Sequence, residues 1–316
     1  MTGPVLGVDV GGSKALAVVL DDDRSVRLTR RRATGRATNP DRLVRLVETL
    51  LAETSAAGYA CTAVGLGFPG LVDHGRGMVR SSVMLDGWCD VPLAERLHSV
   101  TGIPCVLDND VNVAALAELE ARGSPPPSCM LMVAVGTGIG GAICLDGELF
   151  RGVSGVSGEI GNTTIDPSAE FCWCGRRGCL NVLASGSVIE ELTPRLGREG
   201  AVTHAARALG VGIANAVQLL NPDLVVLGGG VLEIGDSFLA QVRETLAHEV
   251  FPEALAACRV ERTVLGHAAA AIGAGRLAAQ AGAGLQSSPD RSGTPGLTRP
   301  SRSLPRLPPL LPGRFT

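Results

Sequence analysis

The chain has 316 residues, enough for one large domain or two ordinary ones. With 45% hydrophobic and 19% charged residues it is globular, and 3% aromatics leave its core to Val, Leu, Ile and Ala. A net charge of −3 and a pI near 6.0 give no sign of the basic face a nucleic-acid-binding protein needs, and no apolar run approaches the ~20 residues of a membrane-spanning helix.

The first residues lead into a strand without a basic flank or a cleavage site, so a cytoplasmic location is expected. Residues 5–8 are apolar and run into Asp9 and Gly11-Gly12. A second strand follows over 15–20, then the turn Asp21-Asp22-Asp23 and a charged third or edge strand over 27–32. Over 40–57, Leu43, Leu46, Val47, Leu50 and Leu51 recur at helical spacing. A buried strand over 63–68 ends in Pro69-Gly70, a short helix covers 92–100, and a strand over 103–107 meets Asp108-Asn109-Asp110 before a helix over 111–121. After Pro125-Pro126-Pro127 the plan repeats, with a strand over 130–135, a glycine turn over 136–141 and a hairpin partner over 142–145. Residues 151–181 read as loop. Helices are expected over 201–220, 238–250 and 268–279, and a strand over 224–227 ends in Gly228-Gly229-Gly230. Each half opens with a hairpin around a glycine turn, which points to two α/β units facing a cleft. From 281 the chain is rich in Pro, Ser, Arg and Gly without apolar periodicity, so 281–316 reads as a disordered tail.

Three stretches carry chemistry. In Asp9-Val10-Gly11-Gly12-Ser13-Lys14 the glycines let backbone N–H groups approach a phosphate, and Asp9 could hold Mg²⁺ through water. A simple hairpin turn explains the same residues equally well. The second turn, 136–141, leads into a strand and not a helix, so it is no Rossmann fingerprint; paired with the first turn and with 228–230 it suggests a nucleotide clamped between the halves. Asn109-Asp110 lies at the carboxyl end of a strand, where α/β folds bind ligands. A carboxylate there serves as general base toward a hydroxyl, or simply caps the following helix. Nine cysteines are an odd count for a disulfide framework. Cys172, Cys174 and Cys179 fall within eight residues, and Gly175 and Gly178 permit a tight knuckle, as in a structural zinc site that lacks one ligand. Free thiols in a loop are the alternative.

Taken in order, residues 9–14, 67–70, 109–115, 136–141, 155–161, the CWCGRRGC run of 172–179, and 228–230 resemble the ROK family of sugar kinases and repressors, over roughly 4–280. The resemblance implies the α/β actin-like ATPase (ribonuclease H-like) fold, two lobes around a cleft that holds ATP and a sugar. It implies Asp110 as catalytic base, Asn109 and Glu159 as sugar ligands, and Gly70, Asn162 and Asn181 beside the substrate. Asp9, Gly11, Gly12, Ser13 and Lys14 would serve the phosphates and Mg²⁺; Gly136, Thr137, Gly138 and Gly140 would form the second phosphate loop; Gly228, Gly229 and Gly230 would lie near the adenosine. Cys172, Cys174 and Cys179 would hold zinc, and the chain would form a homodimer. The expected division is a first lobe over 1–109 and a second over 110–280, with the last helix, 266–279, able to pack back on the first.

The chain departs from the family pattern at four positions. Asn162 replaces a His that ligates zinc and touches the sugar, Asn181 a Glu at the anomeric end, Met84 an Asn, and Ser13 a Thr. The fourth zinc ligand is therefore open. A pocket that has lost an imidazole and a carboxylate should reject plain glucose strongly. The expected reaction is ATP-dependent phosphorylation of the primary 6-hydroxyl of a modified sugar, such as kanosamine, or of a C7 cyclitol from antibiotic biosynthesis. An ordinary glucokinase and a non-catalytic sugar-binding protein are the alternatives. A repressor is set aside because the first phosphate strand begins at Val5, ahead of which a helix-turn-helix domain has no room, and Arg30-Arg31-Arg32 reads as a solvated strand edge.

Overall fold

The computed structural model describes residues 3–35 and 38–284. In chain order the elements are β1 (Val5–Val10), β2 (Lys14–Leu20), β3 (Val26–Ala33), α1 (Pro40–Ala56), β4 (Val64–Phe68), β5 (Leu71–Asp73), β6 (Met78–Ser81), β7 (Cys89–Val91), α2 (Leu93–Thr101), β8 (Cys105–Asn109) and α3 (Asp110–Arg122). There follow β9 (Cys129–Val135), β10 (Ile139–Leu145), β11 (Glu148–Phe150), α4 (Asn181–Ala184), α5 (Gly186–Leu220), β12 (Leu224–Gly228), α6 (Asp236–Glu249), α7 (Pro252–Ala257), β13 (Arg259–Arg262) and α8 (Ala269–Gly284).

The strands form two five-stranded sheets of the same design, in the orders β3-β2-β1-β4-β8 and β11-β10-β9-β12-β13. In each, an antiparallel hairpin continues into parallel strands: β1, β4 and β8 in the first, β9, β12 and β13 in the second. The parallel arrangement matters for function, because the carboxyl ends of such strands open onto the ligand crevice. Val10, Phe68, Asn109, Val135 and Gly228 end β1, β4, β8, β9 and β12. Of the predicted site residues, Asp9, Gly11, Gly12, Gly70, Asn109, Asp110, Gly136, Thr137 and Gly228–Gly230 sit at or next to those ends, whereas Glu159, Asn162, Asn181 and the three cysteines come from the stretch 151–181.

The first core packs β1 and β4 against α1, whose Leu43, Val47 and Leu50 are fully buried. Phe68 packs against Trp88 at 4.5 Å between ring centroids with the rings tilted by 50°, and the Trp88 indole N–H donates to Thr38 O at 2.9 Å. The second core packs β9 and β12 against α5 and α6. Between the two sheets lies α3. Its Val111, Ala114, Ala115 and Leu119 pack with Met130, Met132, Leu224 and Val226 of the second sheet, while Val113 and Ala117 pack toward α8.

Helix α8 follows the second sheet yet packs on β1, β4 and α3. Glycines allow this close crossing. A Cβ at Gly273 would lie 1.8 Å from Val113 O, and one at Gly65 would lie 1.8 Å from Ala274 O. The approach to α8 is pinned by Glu118, a buried carboxylate that accepts from Val264 N (3.2 Å), Leu265 N (3.0 Å), the Thr263 hydroxyl and Arg122 Nε (3.3 Å).

Several elements differ from expectation. The small sheet β5-β6-β7 fills 71–91, where strands of three or four residues leave no readable period. The long helix starts at Gly186 and breaks at Gly197, whose φ of +71° is left-handed. The edge strands β11 and β13 were not anticipated. Helix α8 runs to Gly284, past the residue assigned as the start of the tail; 285–316 lie outside the described residues. Among the described residues no helix is long and apolar enough to cross a membrane.

Candidate active site

The first glycine turn is closed by Gly11 N donating to Lys14 O (2.9 Å) and is held from β3's end by Thr34 Oγ1 donating to Gly11 O (2.7 Å). A Cβ at Gly11 would lie 2.8 Å from Lys14 O, so this turn requires glycine. Gly12 is more open: a Cβ there would meet only Met84 Cε, at 3.8 Å. Behind the turn stands Asp9, whose carboxyl burial raises to about 6 against the opposing charge of Lys14.

The second turn is built by backbone packed on backbone. Gly136 N donates to Gly138 O (2.8 Å), and Gly136 O accepts Gly186 N (2.7 Å) at the start of α5, where Ser187 Oγ also donates to Thr137 O (2.9 Å). Gly229, at φ +89°, presses on β9 so closely that a Cβ would lie 2.3 Å from Val135 O. Residues 136–138, 186 and 228–230 therefore form one wall. A Cβ at Gly230 would meet nothing within 4 Å, whereas one at Gly140 would collide with Val111 Cγ2 at 2.7 Å, so Gly140 serves the packing of α3. On the second wall Glu233 is held below the ordinary carboxylate value by its hydrogen bond and ion pair with His267, with burial opposing and Lys14 of the first hairpin adding the smallest contribution.

At the floor, Asn109 caps α3. Its Oδ1 accepts Val111 N (2.8 Å) and Asn112 N (3.2 Å), and its Nδ2 donates to Gly70 O (3.2 Å). The capping role therefore falls chiefly to Asn109, and Asp110 is the first helical residue, with one oxygen accepting Val111 N at 3.0 Å. Burial and the neighbouring charge of Asp9 raise Asp110 to about 7; the Val111 N–H lowers it and Glu159 raises it further. Burial also raises Glu159. Three carboxyl groups from three separate stretches are thus gathered in one place. A carboxylate near 7 is suited to general-base work at neutral pH.

Asn162 and Asn181 lie side by side. The chain of donors runs from Ile139 N to Asn181 Oδ1 (2.7 Å), from Asn181 Nδ2 to Asn162 Oδ1 (3.1 Å), and from Asn162 Nδ2 to Glu159 Oε2 (3.1 Å). Asn181 is buried, so this amide relay joins the start of β10, beyond the second glycine turn, to Glu159. Pairing between the two replaced positions could not be read from their separation in the sequence.

The three thiols converge, with ligand atoms within 4.8 Å of one another and Cys174 Sγ 3.4 Å from Cys179 Sγ. Cys172 N donates to Arg176 O (2.7 Å) and Gly175 N to Cys172 O (2.9 Å), with Gly175 and Gly178 at φ +85° and +64°. Burial opposes ionisation of Cys174, but hydrogen bonds with Arg176 and the other two thiols bring it down to about 7. This donor set fits a thiophilic metal at three of four positions. Among the described residues no His, Asp, Glu or fourth Cys joins the cluster. The Asn162 side chain is engaged elsewhere, and the backbone carbonyl oxygen of Asn162 accepts Cys179 Sγ at 3.6 Å. Asp108, His74 and Arg151, grouped beside Asn109, were missed: Arg151 precedes a glycine-rich loop with no periodic signal, and Asp108 was read only as part of the Asp108-Asn109-Asp110 stretch that follows a strand.

Two hairpin-led sheets of one design, with glycine turns on both walls of a cleft and carboxyl groups at its floor, define the actin-like ATPase fold. The chain belongs to the ROK family, whose model matches residues 5–281. It is 32% identical over 251 residues to a glucokinase of Halalkalibacterium halodurans, covering 69% of this chain and 76% of that protein. It is also 32% identical over 295 residues to an N-acetylmannosamine kinase of Citrobacter koseri, covering 86% and 98%. Among solved structures, the ROK glucokinase of Streptomyces griseus in complex with glucose and AMPPNP superposes with a TM-score of 0.78 at 28% identity, over 88% of this chain and 100% of that one.

Proposed function

We propose that this chain is an ATP-dependent kinase that phosphorylates the primary hydroxyl, position 6, of a hexose-like ring, and that its acceptor is a modified sugar such as kanosamine or a C7 cyclitol. The observation that carries the reading is Asp110: a carboxyl raised to about 7, first in its helix at the end of β8, beside Asp9 and Glu159. In that role it accepts the proton of the acceptor hydroxyl while the oxygen attacks the γ-phosphorus in line, and ADP leaves. Asn109 and Glu159 hold ring hydroxyls. The backbone N–H groups of 11–13 and 136–138 cradle phosphate oxygens, and 228–230 border the adenosine. Asp9 is the residue to hold Mg²⁺ through water; bound there, the ion supplies charge neutralisation at the β- and γ-phosphates.

The modified acceptor is supported by the amide relay. Asn162 and Asn181 spend their amide groups on each other, on Glu159 and on Ile139 N, leaving Glu159 as the charged group at that end of the pocket. The three-thiol knuckle supports structural zinc held at three positions by Cys172, Cys174 and Cys179. A cytoplasmic homodimer belongs to the same reading. The test is a comparison of kcat/KM for glucose, kanosamine and a valiolone-type cyclitol, with Asp110→Asn as control. Efficient glucose turnover with the others poor would reject the modified acceptor, and full activity of Asp110→Asn would reject the base.

A further inference from the structure

Asp108 is 1% exposed and has no part in the chemistry proposed above. It immediately precedes Asn109 and Asp110. Its Oδ1 accepts Asn109 N and Asn112 Nδ2, each at 2.8 Å. Its Oδ2 accepts Arg151 Nε at 2.8 Å and pairs with Nη2 of the same guanidinium at 2.7 Å. His74 supports the same strand end, with Nδ1 donating to Leu107 O at 2.9 Å and standing 3.8 Å from Asp108 Oδ2. Arg151 directly follows β11, in the second sheet, and opens the segment that leads to Glu159. That segment is lightly anchored at its middle, where Val153 is 98% exposed. Ser157 N reaches back to Arg151 O at 3.2 Å, and Gly155 approaches Val72 O.

A buried ion pair is a poor source of net stability, since desolvation offsets much of the attraction, yet losing one partner strands a buried charge. Such a pair is better suited to fixing geometry. We propose that Asp108 and Arg151 are positioning residues: their ion pair docks segment 151–159 of the second lobe onto the end of β8, and so sets Glu159 relative to Asp110 across the acceptor site. The kinetic part of this proposal rests on the sugar-kinase reading. Neither residue bonds to the glycine turns, so the nucleotide side should be insensitive to the pair.

The experiment compares wild type, Arg151→Met, Arg151→Lys, Asp108→Asn and the Asp108→Asn/Arg151→Met double variant by steady-state kinetics and by hydrogen exchange. Arg151→Met is expected to raise acceptor KM at least about tenfold while leaving ATP KM within about twofold, and to speed exchange of the 152–161 amides about tenfold. Arg151→Lys should recover part of the loss, and the double variant should be no worse than the poorer single variant, because both remove one shared interaction. Unchanged exchange over 152–161 in Arg151→Met overturns the proposal. So does an ATP KM that rises with the acceptor KM, or a lowered melting temperature with an unaltered acceptor KM. Should the wild type phosphorylate no sugar, the sugar-kinase reading falls, and the exchange measurement alone then decides whether the pair docks the segment.

Discussion

Burial and the charge on Asp9 lift Asp110 to about 7, so part of the population is protonated near neutrality. Below that value kcat/KM should fall about tenfold per pH unit as the base is lost, which a pH–rate profile of the free enzyme reads directly. The same shift has a cost. The folded pKa lies above the ordinary aspartate value of 3.8, so the group's contribution to stability is intact below about pH 4 and is lost as pH rises through 7. Asp110→Asn removes the charge and keeps an oxygen for Val111 N. It should lose about 10³-fold in kcat and at pH 8 melt on the order of 2 °C or more above wild type, with the difference vanishing near pH 4. A variant that melts lower at pH 8 would contradict the electrostatic account.

Elements succeed here where backbones can approach each other. Helix α8 lies on α3, β1 and β4 only because Gly273, Gly65 and Gly7 have no side chain; a Cβ at Gly273 would sit 1.8 Å from Val113 O. Gly273→Val should therefore cost at least ~3 kcal/mol, seen as a lowered denaturation midpoint, because backbone and not a flexible side chain must yield. The Cys knuckle is another element with a reach beyond itself. Cys179 precedes Leu180 and Asn181, and its Sγ contacts the carbonyl of Asn162, so loosening the knuckle disturbs the amide relay to Glu159. Cys172→Ser is expected to raise acceptor KM at least about fivefold with ATP KM nearly constant, and a chelator should do the same where the knuckle holds the proposed metal. Equal loss on both substrates would separate the knuckle from the acceptor site.

At the scale of the whole molecule, two lobes meet through α3 and α8, and Glu118 ties the turn before α8 to α3. The cleft walls carry the opposing charges of Lys14 and Glu233. A kinase must keep water from the γ-phosphate, so acceptor and nucleotide together should draw the lobes closer. Small-angle scattering with a non-hydrolysable ATP analogue and the acceptor should show a smaller radius of gyration than either ligand alone; an unchanged radius would argue against closure.

The ends of β1, β4, β8, β9 and β12, with Asp9, Gly70, Asn109-Asp110, Gly136 and Gly228, were legible because strand, turn and cap are local matters of apolar runs, glycine and short polar side chains. The knuckle of Cys172, Cys174 and Cys179 was legible for the same reason: its ligands are neighbours in the chain. The short strands of 71–91 escaped because too few residues carry the period. The raised Asp110 depends on burial and on Asp9, 101 positions away, while the Asn181–Asn162 step of the relay and the Arg151–Asp108 bridge join residues 19 and 43 positions apart. Amino-acid order alone determined which groups are present and where each strand delivers them. Only the tertiary structure decided which of them share a desolvated space, because charge coupling and hydrogen bonding depend on distance through space and on exclusion of water.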